Sequence, residues 1–146
     1  MVTRFPLTLV AVLLAAGLGL SAPARANPTQ DQINATLAAD PQIWQGLFAL
    51  ALADEIRNHC EAIEARTLRA TSFVYGLYNR ARDHGYSRDQ IRAFQRADST
   101  EARMRTEVMA YFTQHGVREG VPDSYCALGR SEIAAGSQAG ELLRAR

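Results

Sequence analysis

The sequence predicts an all-α fold: a compact multi-helix domain of about five helices in crossed packing, with one disulfide, after an N-terminal signal peptide. Apolar residues recur with helical spacing along most of the chain, and the alternation typical of strands is absent. Capping residues precede several apolar segments, and Gly85, Gly116 and Gly136 follow three of them. With 47% hydrophobic residues, the chain has enough apolar surface to exclude disorder.

A secretory signal peptide is predicted at the N-terminus. Arg4 supplies a positive charge, Leu7–Leu20 is apolar, and Ala24–Ala26 has the small residues of a cleavage site. The apolar run is too short to favour a membrane span. We therefore expect removal of residues 1–26, which leaves 27–146 as a single helical domain in a bacterial periplasm, with no membrane-spanning segment.

The central helix is predicted to begin after Asp40, an N-cap residue that is followed by proline at the first helical position. Apolar residues surround this helix over Leu47–Ala53, which is typical of a buried helix, and Cys60 lies at or just beyond its end. A shorter helix precedes it, because Thr29 and Gln32 have the spacing of a capping box.

A second long helix is predicted over residues 62–84, and Gly85 supplies the left-handed residue that ends it. Helical spacing assigns seven residues to its inner face. These are Ile63, Thr67, Ala70, Phe73, Val74, Leu77 and Ala81.

Three further helices are predicted from their N-terminal signals. The signals are Ser87 with Gln90, Asp98 with Glu101, and Asp123. Beyond the last helix, we expect Leu142 and Leu143 of the C-terminal tail to dock on the domain.

The two cysteines, Cys60 and Cys126, are predicted to form a structural disulfide. An exported chain folds in an oxidising compartment, where paired thiols oxidise and stay oxidised. The cysteines stand 66 positions apart, far from the C-x-x-C spacing of redox-active pairs. The bond is expected to join the end of the central helix to the start of the last one.

The charge composition argues against nucleic-acid binding. Once Arg4 and Arg25 leave with the signal peptide, 14 arginines remain against 15 carboxylates, a net charge of −1. Some of these arginines and carboxylates are predicted to form ion pairs within one helix surface. The i,i+4 pairs are Glu101 with Arg105 and Arg103 with Glu107.

No pattern in the sequence predicts a catalytic residue, a metal site or a cofactor. Glu55 and His59 share a helix face at i,i+4 and come nearest to a metal-binding pair. Two ligands are too few for a closed site, since structural zinc takes four. His84 and His115 each precede a glycine at a helix end, where a positive imidazole suits the helix dipole.

Two segments resemble a known family. Ala51–Cys60, with the sequence ALADEIRNHC, and Ser124–Ile133, with the sequence SYCALGRSEI, are similar to short exported alphaproteobacterial proteins known as a domain of unknown function. The similarity extends through most of residues 27–146. It implies export, a helical fold and the two cysteines, and it transfers no catalytic residue.

We therefore expect a non-enzymatic periplasmic protein that binds a protein partner or client, as an accessory, envelope-stress or acid-stress factor. Acid protonates carboxylates and histidines, which raises the positive charge and loosens helix packing. The alternatives are a periplasmic inhibitor or immunity protein, and a small cell-envelope hydrolase that uses Glu55 or His59. No oligomeric state follows from the sequence.

Overall fold

The computed structural model describes residues 27–146, and the predicted signal peptide lies outside these residues. The described part contains seven helices and one two-stranded sheet. The helices are α1 Gln30–Ala39, α2 Pro41–His59, α3 Thr67–Asp83, α4 Arg88–Gln95, α5 Asp98–Gln114, α6 Pro122–Ala135 and α7 Gln138–Glu141; the strands are β1 Ile63–Ala65 and β2 Leu143–Ala145. The predicted all-α class is confirmed, with more helices than the five or so expected.

Helix α2 is the centre of the fold, as its all-round apolar sequence predicts. It packs against α1, α3, α5, α6, α7 and β1. The Asp40 side chain caps its N-terminus, Pro41 occupies its first turn, and Cys60 ends it with extended backbone. Each of these three boundary residues agrees with the sequence-based prediction. Asp40 and Pro41 were predictable because they act within their own helical turn.

Buried side chains form two groups along α2 within residues 27–146. The larger group lies around the C-terminal half of α2 and includes Leu52, Ile56, Ile63, Val108, Phe112, Leu128, Leu142 and Leu143. The smaller group lies around its N-terminal half and includes Ile33, Leu37, Ile43, Trp44, Ala81, Ile91 and Phe94. The tail leucines are therefore docked, as predicted.

The predicted helix over residues 62–84 is wrong at its start, because residues 63–65 form a strand. β1 pairs antiparallel with β2, so that Ile63 lies opposite Ala145 and Ala65 lies opposite Leu143. Glu64 binds the side chains of both Arg144 and Arg146. Each strand has only three residues, and its partner lies about eighty residues away, so no local alternation in the sequence reveals the sheet.

Two capping boxes form as predicted, but two of the predicted acidic N-caps are wrong. Thr29 with Gln32 and Ser87 with Gln90 make the reciprocal bonds of a capping box. Asp98 and Asp123 instead lie within the first turns of α5 and α6, and neither helix has a side-chain cap. For α6 the reason is Pro122, whose fixed φ suits the first helical position and starts the helix one residue before Asp123.

Among residues 27–146, no helix combines the length and the apolar character that crossing a membrane requires.

Two glycines that differ in their surroundings test the packing of the helices. A side chain at Gly140 would meet the main chain of Glu132, whereas a side chain at Gly76 in α3 would point into open space. We expect Gly140→Ala to lower the free energy of unfolding by about 2 kcal/mol through overpacking. Gly76→Ala is expected to raise it by about 0.5–1 kcal/mol through helix propensity.

Urea unfolding of both variants, followed by far-UV circular dichroism, measures the two changes. Equal effects of the two substitutions would contradict the close approach of α7 to α6.

Candidate binding site

The predicted disulfide is present. Cys60 and Cys126 are bonded, with their Cα atoms 5.1 Å apart and a separation of 66 positions in the sequence. Cys60 ends α2 and is 1% exposed, and Cys126 lies in the first half of α6. The bond therefore holds α6 against the C-terminal end of α2.

A buried carboxylate holds the opposite end of α2. Asp40 Oδ1 accepts hydrogen bonds from the backbone N–H groups of Gln42, at 3.0 Å, and Ile43, at 3.3 Å. The same carboxylate binds Arg80 Nε at 2.9 Å and His84 Nε2 at 2.9 Å, both from the C-terminal end of α3. His84 lies at the end of its helix, as predicted, and its bond to Asp40 has no signal in the sequence.

The Arg80 hydrogen bonds hold the pKa of the Asp40 carboxyl well below its ordinary value of 3.8. Burial opposes this shift, and the bonds from His84 and from the backbone N–H groups of Ile43 and Gln42 add to it. Asp40 therefore stays ionised in moderately acidic solution, and α2 keeps its cap there.

An open apolar trough runs along α2 between these two fixed ends. Its floor is the α2 segment that contains Leu47, Leu50, Ala51 and Asp54. A hollow of about 740 Å³ lies between this floor and α5, which lines it from Thr100 to Met109. A second hollow, of about 490 Å³, lies between the floor and α3. The walls consist of Ala70, Thr71 and Val74 of α3 and Met104, Arg105, Val108 and Met109 of α5.

Exposed apolar side chains lie at the walls of the trough and on the outer surface of α3. Within residues 27–146, four large apolar residues are exposed, and three of them belong to α3. They are Leu68, 87% exposed, Val74, 44%, Tyr75, 65%, and Met109, 47%. Clustering of such residues around a concave surface is typical of an interaction site, whereas scattered single ones are ordinary.

The predicted inner face of the second long helix is largely confirmed, and Thr67 and Val74 are the two of its seven residues that are exposed. Ala81 is buried, Ala70 and Phe73 pack against the larger core group, and Leu77 lies against Gly46. Ile63 is also buried, but as part of β1. Val74, expected inside, is exposed at the trough. The physical reason is that α3 packs on α2 and α4 along one side, so that much of its apolar surface has no neighbour.

Carboxylates slightly outnumber arginines around the trough. Asp54, Glu55 and Glu101 line it, together with Arg57 and Arg105. Asp54 binds Arg57 within its own helix. The predicted pairing of Glu101 with Arg105 is wrong, since no ion pair joins these two side chains. The predicted pair of Arg103 with Glu107 is present at 2.9 Å.

The candidate metal pair is brought together, but as a helix-end contact. His59 Nδ1 lies 3.6 Å from a carboxylate oxygen of Glu55 and 2.9 Å from its backbone carbonyl oxygen. The imidazole also stacks on Tyr125, with ring centroids 4.5 Å apart. The described residues contain no group of three or more side chains placed to hold a metal ion.

A second buried carboxylate, Glu132, joins α5, α6 and α7 and was not predicted from the sequence. Glu132 accepts hydrogen bonds from the Tyr111 hydroxyl, at 2.6 Å, and from the Ser137 hydroxyl. Burial and this bond to Glu132 raise the pKa of Tyr111 to about 12. Ser137 also caps α7 at Gly140 N–H. All the polar groups of this cluster have partners within the fold, so we assign it a structural role.

The fold and the trough define a small helical, disulfide-bonded protein with an open apolar surface beside its central helix. The chain belongs to a family of unknown function, DUF5333, whose sequence profile matches residues 35–144. This range contains both cysteines, Asp40 and the whole trough, and it confirms the resemblance to a domain of unknown function. Comparison with curated proteins and with solved structures gave no match.

Removing the disulfide tests its contribution to stability. We expect the Cys60→Ala and Cys126→Ala double variant to lose about 4 kcal/mol of unfolding free energy, because the unfolded chain regains the freedom of a 66-residue loop. Urea unfolding of oxidised wild type and the variant measures this loss. Dithiothreitol should not change the unfolding free energy of the variant, whereas it should lower that of wild type by reducing the disulfide. A loss below about 1 kcal/mol would contradict the prediction.

Asp40 gives stability a specific dependence on pH. The pKa of Asp40 is lower in the folded state than in the unfolded state. Its contribution to stability is therefore complete above the unfolded-state pKa, and it is lost as the pH falls through the folded-state pKa. We expect Asp40→Asn to cost about 2 kcal/mol at neutral pH, and the cost to shrink below about pH 4. Urea unfolding from pH 7 to pH 2 measures this, with exposed Asp31→Asn as the matched control. A cost that is constant with pH would contradict the assignment.

Proposed function

We propose that this protein is a non-enzymatic binding protein of the bacterial periplasm, which holds apolar segments of client proteins in the trough along α2. The observation that carries the proposal is the trough itself: an open concave surface with an apolar floor and exposed apolar residues at its walls. An unfolding client offers the matching chemistry, because unfolding exposes apolar side chains that are normally buried.

The disulfide supports export. A bond between Cys60 and Cys126 persists in an oxidising compartment and is uncommon in the bacterial cytosol. It fits the predicted signal peptide and the predicted periplasmic location, which we keep as part of the proposal.

Acid stress is the version of this function that the electrostatics favour. Acid neutralises exposed carboxylates and leaves arginine charged. The protein over residues 27–146 therefore becomes strongly positive, and its molecules repel one another. The bonds from Arg80 keep Asp40 ionised after ordinary carboxylates are neutral, because they depress its pKa. The cap of α2 therefore persists at a pH that neutralises ordinary carboxylates, and the trough beside α2 is proposed to stay available to clients that unfold there.

An inhibitor or immunity protein is the nearest alternative, and it belongs to the same class of binding proteins. Such a protein holds one folded enzyme at a fixed stoichiometry, whereas a chaperone protects several unrelated clients. Protection of two unrelated clients therefore discriminates between the two functions.

An aggregation assay tests the proposed function. We expect residues 27–146, with the disulfide intact, to suppress light scattering by two acid-labile dehydrogenases at about pH 3. Met109→Glu places a polar group in the trough wall and should lower the protection about tenfold, because it opposes apolar contact. Ala134→Glu, at an exposed position of α6 away from the trough, is the matched control and should protect as wild type does.

Absence of protection at a large molar excess of wild type would overturn the chaperone function. Equal protection by Met109→Glu and wild type would show that the trough is not the client site.

A further inference from the structure

We infer that one face of α3 and α4 binds the surface of a membrane that contains anionic phospholipids, so that the protein lies on the membrane without crossing it. The inference goes beyond the proposed function and does not depend on client binding. The face combines exposed arginines with two exposed apolar side chains, and it is called the basic face below. Its residues are Leu68, Tyr75 and Arg82 of α3, Arg88 and Arg92 of α4, and Arg96 at the end of α4.

Helical spacing places these residues in two lines. The α3 residues of the basic face follow one another at intervals of seven positions, which is nearly two helical turns, so they lie along one side of α3. The three arginines of α4 follow at intervals of four positions, so they too are neighbours along one side of their helix. All six side chains are exposed.

Tyr78 joins the two lines. The centroid of its ring lies 6.5 Å from that of Tyr75 on the same helix. Its side chain also contacts Arg88 at the start of α4, and this contact raises the pKa of the Arg88 guanidinium. The apolar residues of α3 and the arginines of α4 therefore belong to one continuous surface.

The arginines of the basic face have no carboxylate partner. Within residues 27–146, none of the four takes part in an ion pair. The other two arginines of α3, Arg69 and Arg80, are already paired with carboxylates and lie outside this face. Asp83 and Asp89 are the carboxylates of α3 and α4, so four arginines against two carboxylates leave a net charge of +2. This surface is therefore positive, although the net charge of residues 27–146 is not.

The helix dipole explains only part of this charge. A cation near the C-terminal end of a helix is stabilised by the dipole, which accounts for Arg92 and Arg96. Arg88 occupies the first position of α4, where the same dipole disfavours a cation. A partner with repeated negative charges would attract all three side chains.

The shape of the basic face favours an extended anionic surface as this partner. Successive arginines of α4 are about 6 Å apart along the helix axis, in a row, and none of them lines the trough. A single phosphate ion is bound best where several donors converge, whereas a layer of lipid phosphates offers a separate partner to each guanidinium. Anionic lipid headgroups attract clusters of arginine at the membrane surface for this reason.

Leu68 and Tyr75 supply the apolar component of membrane binding. Their side chains are 87% and 65% exposed, so neither contributes to the core. Tyrosine is favoured at the boundary between lipid headgroups and acyl chains, and an exposed leucine gains by inserting there. Val74 of the trough wall is adjacent to Tyr75, so a bound molecule holds its trough beside the membrane.

Cosedimentation with lipid vesicles tests the inference. We expect oxidised residues 27–146 to pellet with phosphatidylglycerol vesicles at low ionic strength and neutral pH, and to stay in solution with phosphatidylcholine vesicles. Sodium chloride at about 0.5 M should release most of the bound protein, because the attraction is electrostatic. Inorganic phosphate at equal ionic strength should release no more protein than chloride does, which distinguishes a lipid surface from a single bound ion.

Two double variants with equal changes of charge identify the site. Arg88→Gln with Arg92→Gln should lower the vesicle affinity at least about tenfold, since each arginine near an anionic surface contributes about fivefold. Arg118→Gln with Arg130→Gln is the matched control, because both arginines are exposed and belong to α6 and the loop before it. The control should bind as wild type does, and circular dichroism should be unchanged in both variants.

Fluorescence tests the apolar component. Tyr75→Trp adds an indole at the basic face, and its emission should shift to shorter wavelength when phosphatidylglycerol vesicles are added. Trp44 is buried, so the emission of wild type should not shift. Leu68→Ala should weaken vesicle binding at least about threefold, because it removes an inserted side chain.

Wild-type protein that stays in solution with phosphatidylglycerol vesicles would overturn the inference and would point to an acidic protein as the partner. Equal binding by the Arg88 and Arg92 double variant and wild type, or an equal loss in the control variant, would also overturn it, because the basic face would not be the site. The aggregation assay separates the inference from the proposed function. Without lipid, the Arg88 and Arg92 double variant should protect clients as wild type does, so failure of membrane binding leaves the proposed function standing.

Discussion

The buried carboxylate of Asp40 is the interaction on which the arrangement of the long helices depends. It satisfies backbone N–H groups at the start of α2 and, at the same time, the Arg80 and His84 side chains at the end of α3. A single group with a 6% exposed side chain therefore joins two helix ends that are 40 residues apart in the chain. Removing it would leave orphan donors on both helices. Its ionised form is favoured because the carboxylate accepts hydrogen bonds, first from Arg80 and then from His84 and the backbone, and these lower its pKa.

The other end of α2 is held by covalent and strand contacts. The Cys60–Cys126 bond joins it to α6, and the β1–β2 pairing brings the C-terminal tail beside the start of α3. Fixing α2 and α3 at both ends leaves their middle segments without a further covering helix. The trough is the consequence, because α5 on one side and α3 on the other flank the floor without meeting over it.

Much of the local structure was predictable from the sequence, while little of the site was. The capping boxes, the Asp40–Pro41 start and the disulfide follow from residue types at short spacing or from thiol chemistry. The trough has no such signal: Val74 has the spacing of an inner-face residue, and only the absence of a neighbouring helix makes it exposed. Glu55 and His59 drew attention as a possible metal pair because of their chemistry, yet they form a contact at a helix end.

The sequence by itself determined the helical class and the central position of α2, because both depend on apolar periodicity. It also determined most helix ends, which depend on caps within one turn, and the pairing of Cys60 with Cys126, the two thiols of the chain. Tertiary structure alone decided the β1–β2 sheet, the partners of Asp40 and the uncovered side of α3. The sheet and the Asp40 bonds join residues 40 to about 80 positions apart, and the uncovered side of α3 is left where no other helix packs. Their formation depends on which surfaces the packed helices bring together, and no local preference of the chain encodes that choice.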